Sequence, residues 1–206
     1  MPVSYAQMWI VLWTTVRTCD DEGMESSETL QAHVLSPQAP TQDDIDEYRR
    51  FSAEQAAGVG IVTTVWKGRD YAATVSAFLS VSYDPPTLLV SLYAESRIAQ
   101  AVVGAGKWAL TLLSADQRRT ADWLASPGTP VEGLLSQIPF RRGPVTDSAV
   151  MDGGLAYFEL ESTSVHEEAT HLIVVGRVLS MGTEVLWHPG LSPLVHYAGD
   201  YLKIKP

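Results

Sequence analysis

The chain has 206 residues, 46% of them hydrophobic, and a formal net charge of −10. The length suits one domain, or one with an extension, and the acidic balance excludes a general nucleic-acid binder, which needs a basic face to release counterions. A single cysteine, Cys19, and five histidines without zinc-type spacing exclude a disulfide framework and any metal site read from spacing, and they point to a reducing, cytoplasmic setting.

The first apolar run, "MWIVLWTTV" at residues 8–16, is too short to span a bilayer and lacks a basic leader before it. No membrane association is expected. The stretch that follows is acidic and contains proline. Residues 1–45 are therefore read as an N-terminal extension with little fixed order, or as sequence upstream of a start at Met24. The alternative is an arm that packs Trp9 and Trp13 on a partner subunit. Residues 46–206 are read as the folded domain.

"DDIDEYRRFSAEQAAG" predicts a helix, capped by Asp43 or Asp44 and stopped by Gly58. "VGIVTTVW" is a β-branched strand ending at the turn signal "KGRD". "YAATVSAFLSVSY" reads as a second strand, hairpinned to the first, and "DPP" ends it because proline donates no ladder hydrogen bond. "TLLVSLY" is a buried strand, "ESRIAQAVVGAG" a short helix ending in glycine, and "KWALTLLS" another strand. "ADQRRTADWLAS" predicts an amphipathic helix with Ala121, Trp123 and Leu124 inward. Residues 126–150 are rich in proline and glycine and read as a loop. "LAYFELESTSVHEE" alternates like a half-buried strand, "THLIVVGRVLSMGTEVL" is a strand or strand pair, and "SPLVHYAGDYLKI" closes the chain. Mostly-β order with successive hairpins and few helices predicts a closed barrel with helical additions.

The common catalytic motifs are absent: there is no phosphate loop, dinucleotide glycine fingerprint or nucleophile elbow. A bound cofactor would have to carry the chemistry. The second strand offers a place for one. Thr74, Ser76, Ser80 and Ser82 share one parity, and residues 72–83 carry no charge. The plain reading is an amphipathic strand with its hydroxyl side in water. The sharper one is a floor of small side chains that lets a flat heteroaromatic ring approach the backbone. Ser91 repeats the theme on the next strand, and Ser96–Arg97 opens a helix whose free amides and guanidinium suit a phosphate. Ser96 also reads simply as an N-cap.

From Tyr48 to about Ile204 the chain resembles the flavin reductase family of split barrels. The matching pieces run in order: "YRRFSAEQAAGVGIVTT", "TVSAFLSVSYDPPTLLVSL", "SRIAQAV", "HLIVVGRV" and "PLVHYAGDY". The resemblance implies a mostly-β, Greek-key split barrel that forms homodimers. It implies an NAD(P)H-dependent reductase of FMN or FAD, with NADH or NADPH as co-substrate and a separate flavin-dependent monooxygenase as recipient. By resemblance, Thr74, Val75, Ser76 and Ala77 meet the flavin, Ser80 lies near it, Ser91 and Leu92 line the adjoining wall, and Ser96 and Arg97 meet the phosphate. His171 matches the histidine on the nicotinamide side, where it would be catalytic. Four positions depart from the pattern. Ala169–Thr170 stands where the family has Gly-Asp before the histidine, Ile98 replaces a threonine, and Ala72 replaces a glycine. Arg141–Arg142 reads as a solvated pair, with a nicotinamide-phosphate or adenylate contact as the alternative. Two further readings stay open: a flavin carrier without turnover, and a reductase that keeps its flavin and acts on an organic substrate.

Overall fold

Helix α1 (Gln42–Ser52) starts where a threonine and an aspartate cap each other. The Asp44 amide donates to Thr41 Oγ1 at 3.2 Å, and the Thr41 amide donates to the Asp44 carboxylate at 2.7 Å. Such a reciprocal box needs the hydroxyl three residues before the acid, so the cap is Thr41 rather than Asp43 or Asp44. The helix ends short of Gly58 because Ala57–Gly58 forms strand β1, paired with His196 and Val195. The computed structural model describes residues 39–126, 128, 132–183 and 191–204. The expectations for residues 1–38, Trp9 and Trp13 included, lie outside the described residues.

Strands β2 (Gly60–Trp66) and β3 (Arg69–Val75) form the expected hairpin. Its turn, Lys67–Gly68, has φ of 51° and 74°. Positive φ at both central positions matches the twist of the flanking strands, and glycine takes its position without strain. The long second strand expected from the sequence is in fact two. β3 stops at Val75, and β4 (Phe78–Tyr83) pairs with β5 (Pro86–Tyr93) instead of with β2. After β5 come α2 (Arg97–Ala105), β6 (Lys107–Leu112), a short 3₁₀ turn and α3 (Arg118–Ala125). Strands β7 (Phe140–Arg142), β8 (Ala149–Met151), β9 (Ala156–Glu168), β10 (His171–Gly182), β11 (Leu194–Tyr197) and β12 (Asp200–Lys203) complete the chain.

Seven strands make one antiparallel sheet in the order β3-β2-β6-β9-β10-β5-β4. Its two outer strands, β3 and β4, are consecutive in the chain, joined only by Ser76–Ala77. The sheet must therefore curl until its rims approach at that link, yet the rims do not pair with each other. The result is a mostly-β barrel split along one side, not the closed barrel that the strand pattern alone predicts.

β2 shows how one strand serves two cores. Val62 belongs to a cluster with Trp108, Leu110, Leu160 and Val174, packed under α2 through Ile98 and Val102. Its neighbour Ile61 points the other way, to Leu113, Ala121, Leu124, Ala149 and Met151. Period-2 alternation places successive side chains on opposite faces.

Three departures from the sequence reading lie around the second core. Residues 126–150 are not wholly loop: β7 and β8 pair as a short hairpin. That hairpin is tied down by Thr63 Oγ1, donating to the Ala149 carbonyl at 2.6 Å, and by the Met151 amide, donating to Thr111 Oγ1 at 3.2 Å. Nor is Arg142 merely solvated, since it forks onto both carboxylate oxygens of Asp70 at 2.5 and 2.9 Å. On α3, Ala121 and Leu124 face inward as expected, but Trp123 is 47% exposed, its indole N–H donating to the Leu134 carbonyl. A spacing of three shares a helix face, and Trp123 falls outside it.

The turn between β9 and β10 carries Ala169 at φ 50°. A Cβ is disfavoured there by about 1 kcal/mol or more. Ala169→Gly is expected to stabilise the fold by about 1 kcal/mol, read as a raised Tm in thermal unfolding. Among the described residues, no helix is long and apolar enough to cross a membrane.

Candidate functional site

The split in the barrel places the candidate site. β3 and β4 diverge from Ser76–Ala77, and both residues are exposed. A cleft of ≈ 390 Å³ lies along this seam, between Ala73–Ala77 of β3 and its link, Ser91–Tyr93 of β5, the start of α2 and the end of α3. Its size falls within the range of about 300–1,000 Å³ typical of small-molecule sites.

Thr74, Val75, Ser76, Ala77, Ser91, Leu92 and Ser96 all line this cleft. Their roles there differ. Thr74 is not a free hydroxyl, because its Oγ1 donates to the Ala121 carbonyl at 2.8 Å and ties β3 to α3. Val75 and Leu92 are buried in the barrel core and form an apolar wall. The Ser91 amide donates to the Ala77 carbonyl at 2.9 Å, which fixes the link against β5. Ser76 and Ala77 supply the small exposed floor. A second hollow of ≈ 580 Å³ shares Ser76, Ala77 and Ser91 with the cleft and is otherwise bounded by α1, Phe78, Leu79 and His196.

Ser96 is the N-cap of α2, accepting from the Ala99 amide at 3.2 Å. The amides at the mouth of this helix have no i−4 carbonyl partners within it, and Arg97 stands beside them as the first helical residue. Ser96 and Arg97 together line an adjoining chamber of ≈ 480 Å³. Ile98, which replaces the family's threonine, is buried in the core with no hydroxyl to offer.

Arg97 lines the chamber but not the cleft, and two further expected residues line neither. Ser80 is exposed on β4, paired with Leu88, and lines none of these hollows. His171 is the exposed first residue of β10, directly across from Tyr93. Its ring meets the Tyr93 ring edge-on, with centroids 5.9 Å apart, and Tyr93 lines the cleft. His171 thus sits one side chain away from the seam. Thr170 Oγ1 lies 2.9 Å from its Nδ1, so a hydroxyl stands where the family pattern has a carboxylate.

Sequence reasoning missed Tyr93, Ala73 and Ala125 as wall residues. Tyr93 could have been found as the position facing His171 across the sheet, but Ala73 and Ala125 meet only through tertiary packing. The Tyr93 hydroxyl donates to Glu95 at 2.9 Å, and that hydrogen bond, with the carboxylate charge, holds the phenol above its usual pKa range. Among the described residues, no cluster of His, Cys, Asp and Glu could hold a metal ion.

The family described as "flavin reductase like domain" matches residues 52–205. The chain belongs to that family. Among relatives of this flavin reductase like chain, the reductase subunit HsaB of a flavin-dependent monooxygenase from Mycobacterium tuberculosis is 28% identical over 165 residues, covering 80% of this chain and 85% of that protein. An NADH-dependent flavin reductase from a Rhodococcus species is 30% identical over 160 residues, covering 76% of this chain and 85% of the relative. Among solved structures, BorF, the flavin reductase component of a bacterial two-component tryptophan halogenase, superimposes with a TM-score of 0.72 at 26% identity, over 79% of this chain and 99% of that one.

The residues present fit a flavin nucleotide. The floor at Ser76–Ala77 is small enough for a fused ring to reach backbone amides and carbonyls, Val75, Leu92 and Ile98 form a dry wall, and the polar donors gather at one end of the cleft.

Proposed function

We propose that this protein is an NAD(P)H-dependent flavin reductase that hands reduced FMN or FAD to a separate monooxygenase. The observation that carries the reading is the cleft along the barrel split, with Ser96 and Arg97 at one end and an uncharged floor of small residues along its length. The names of the Rhodococcus and Mycobacterium tuberculosis relatives support it. When bound, the flavin supplies the electron sink for a hydride from reduced nicotinamide. The protein's work is placement. Ser96, the α2 amides and Arg97 hold the phosphate, since free amides and a guanidinium favour an anion. Ser76, Ala77 and Ser91 let the ring lie against the backbone, and the apolar wall excludes water. His171, held by Thr170 and Tyr93 one side chain from the seam, is the residue that the family resemblance assigns to the nicotinamide. Hydride transfer asks no general base of the protein, only two rings held in register.

A homodimer suits the exposed side chains. Leu79, Val81 and Tyr83 on the outer strand β4 are 59%, 50% and 84% exposed, and Tyr48 and Phe51 of α1 are 69% and 52% exposed. Apolar residues on a rim strand are normally covered. The acidic composition and single cysteine suit a cytoplasmic protein.

The deciding experiment follows nicotinamide absorbance with FMN or FAD and NADH or NADPH. Turnover is expected. Flavin binding without turnover would replace the enzyme with a carrier. In the same assay, His171→Ala is expected to raise the nicotinamide KM roughly tenfold, equivalent to about 1.4 kcal/mol of binding. Parent-like kinetics would remove His171 from the site.

A further inference from the structure

A single side chain stands between His171 and the cleft. Tyr93, the last residue of β5, is the register partner of His171 on β10, so the two side chains share one face of the sheet. Tyr93 lines both the cleft and the chamber, and His171 lines neither. The imidazole therefore reaches the seam only past the Tyr93 ring.

The backbone around this pair is tied at two points. The Ala94 amide donates to the Thr170 carbonyl at 3.0 Å, which joins the end of β5 to the turn before His171. The Ser96 amide donates to the Tyr93 carbonyl at 2.9 Å, which closes the turn into α2. The Tyr93 side chain is then held at its far end, where its hydroxyl donates to Glu95 at 2.9 Å. A tyrosine side chain has few torsions to restrain, and a hydrogen bond to a carboxylate is of the stronger kind. Anchored in this way, the exposed ring is a stop rather than a loose cover. The His171 ring meets it edge-on, which limits the swing of the imidazole on that side. Thr170 Oγ1 occupies Nδ1, which limits rotation of the ring and leaves Nε2 to meet a ligand.

We infer that Tyr93 is a positioning residue for the reduction: pinned by Glu95, it holds the His171 imidazole in a fixed orientation at the edge of the seam. The inference rests on the reductase reading and on the place of His171 within it. Glu95 then acts on His171 without touching it, through the phenol.

The test is a double-mutant cycle read in the nicotinamide assay. Tyr93→Phe keeps the ring and loses the pin. It is expected to raise the nicotinamide KM about three- to tenfold, the range for one lost hydrogen bond, and to move the flavin Kd less. Glu95→Ala removes the same pin from the other end and is expected to match it. In the His171→Ala background, Tyr93→Phe is expected to add nothing, because the group it positions is gone. A parent-like KM for Tyr93→Phe or for Glu95→Ala overturns the inference. So does full additivity with His171→Ala, since Tyr93 would then act on its own. A flavin Kd that rises as much as the KM also overturns it and leaves Tyr93 a wall residue only. Parent-like kinetics for His171→Ala overturn it while the reductase reading stands. Absence of turnover in the parent protein overturns that reading, and this inference with it.

Discussion

Arg97→Ala is expected to weaken flavin binding about 10–100-fold, the range lost when a hydrogen bond to a charged group is removed. The side chain lines the chamber at the mouth of α2, and among the described residues no other arginine or lysine lines the cleft or the chamber. Arg97→Lys should restore only part of the affinity, because an ammonium keeps the charge but not the fork. The loss should shrink as salt rises and screens the parent interaction. Riboflavin, which has no phosphate, is the internal control and should bind the parent and Arg97→Ala alike. If Arg97→Ala reduces riboflavin binding as much as that of FMN, the guanidinium supports the fold of the corner rather than the phosphate.

The largest effect on stability is expected at Glu159. This carboxyl group is 0% exposed. One oxygen accepts three hydrogens: the Val145 amide at 3.0 Å, the Thr146 amide at 2.7 Å and the Thr146 hydroxyl at 2.9 Å. Gly143 fits against the same oxygen so closely that any Cβ there would collide with it. Glu159 is thus the peg on which the turn between β7 and β8 is wound. Glu159→Ala strands those donors and opens a void, and about 3 kcal/mol is expected to be lost, lowering Tm by roughly 10 °C. Glu159→Gln keeps an acceptor for the same hydrogens and should cost less than half as much. Equal losses for the two variants would mean that charge, not the count of acceptors, holds the turn.

Much of the fold could be read from residue pattern. The hairpin at Lys67–Gly68 announces itself by turn chemistry, and the ending of α2 at Gly106, with φ 69°, is a glycine C-cap. What could not be read depends on partners far away in the chain. In "VSAF" the break between β3 and β4 is marked only by Phe78, the one apolar residue on the hydroxyl parity from Thr74 to Ser82, which resumes after it. The break arises because β3 is claimed by β2 and β4 by β5. Glu159 hides in the same way. The alternation of "AYFELE" puts it on the outward parity, and only the covering turn at residues 143–148 makes that position interior.

The candidate site divides along the same line. Ser96, Arg97 and the small residues around Ser76 are visible in the sequence because local chemistry requires them: a cap, a cation, an uncharged strand. The resemblance to the family supplied the roles of Ser91, Leu92 and His171, which spacing alone does not. The second wall, made by Leu124 and Ala125, appears only when α3 settles over β3, and the hydroxyl of Thr74 proves to be part of that joint.

One consequence follows from the link at Ser76–Ala77. A single extra residue placed between Val75 and Phe78 would leave each flanking hairpin free to keep its own pairing, since neither ladder crosses that point. The spare length would instead widen the gap that the two rims frame. The architecture thus separates tolerance from precision: a lengthened junction should yield a soluble, well-folded molecule whose aperture no longer grips.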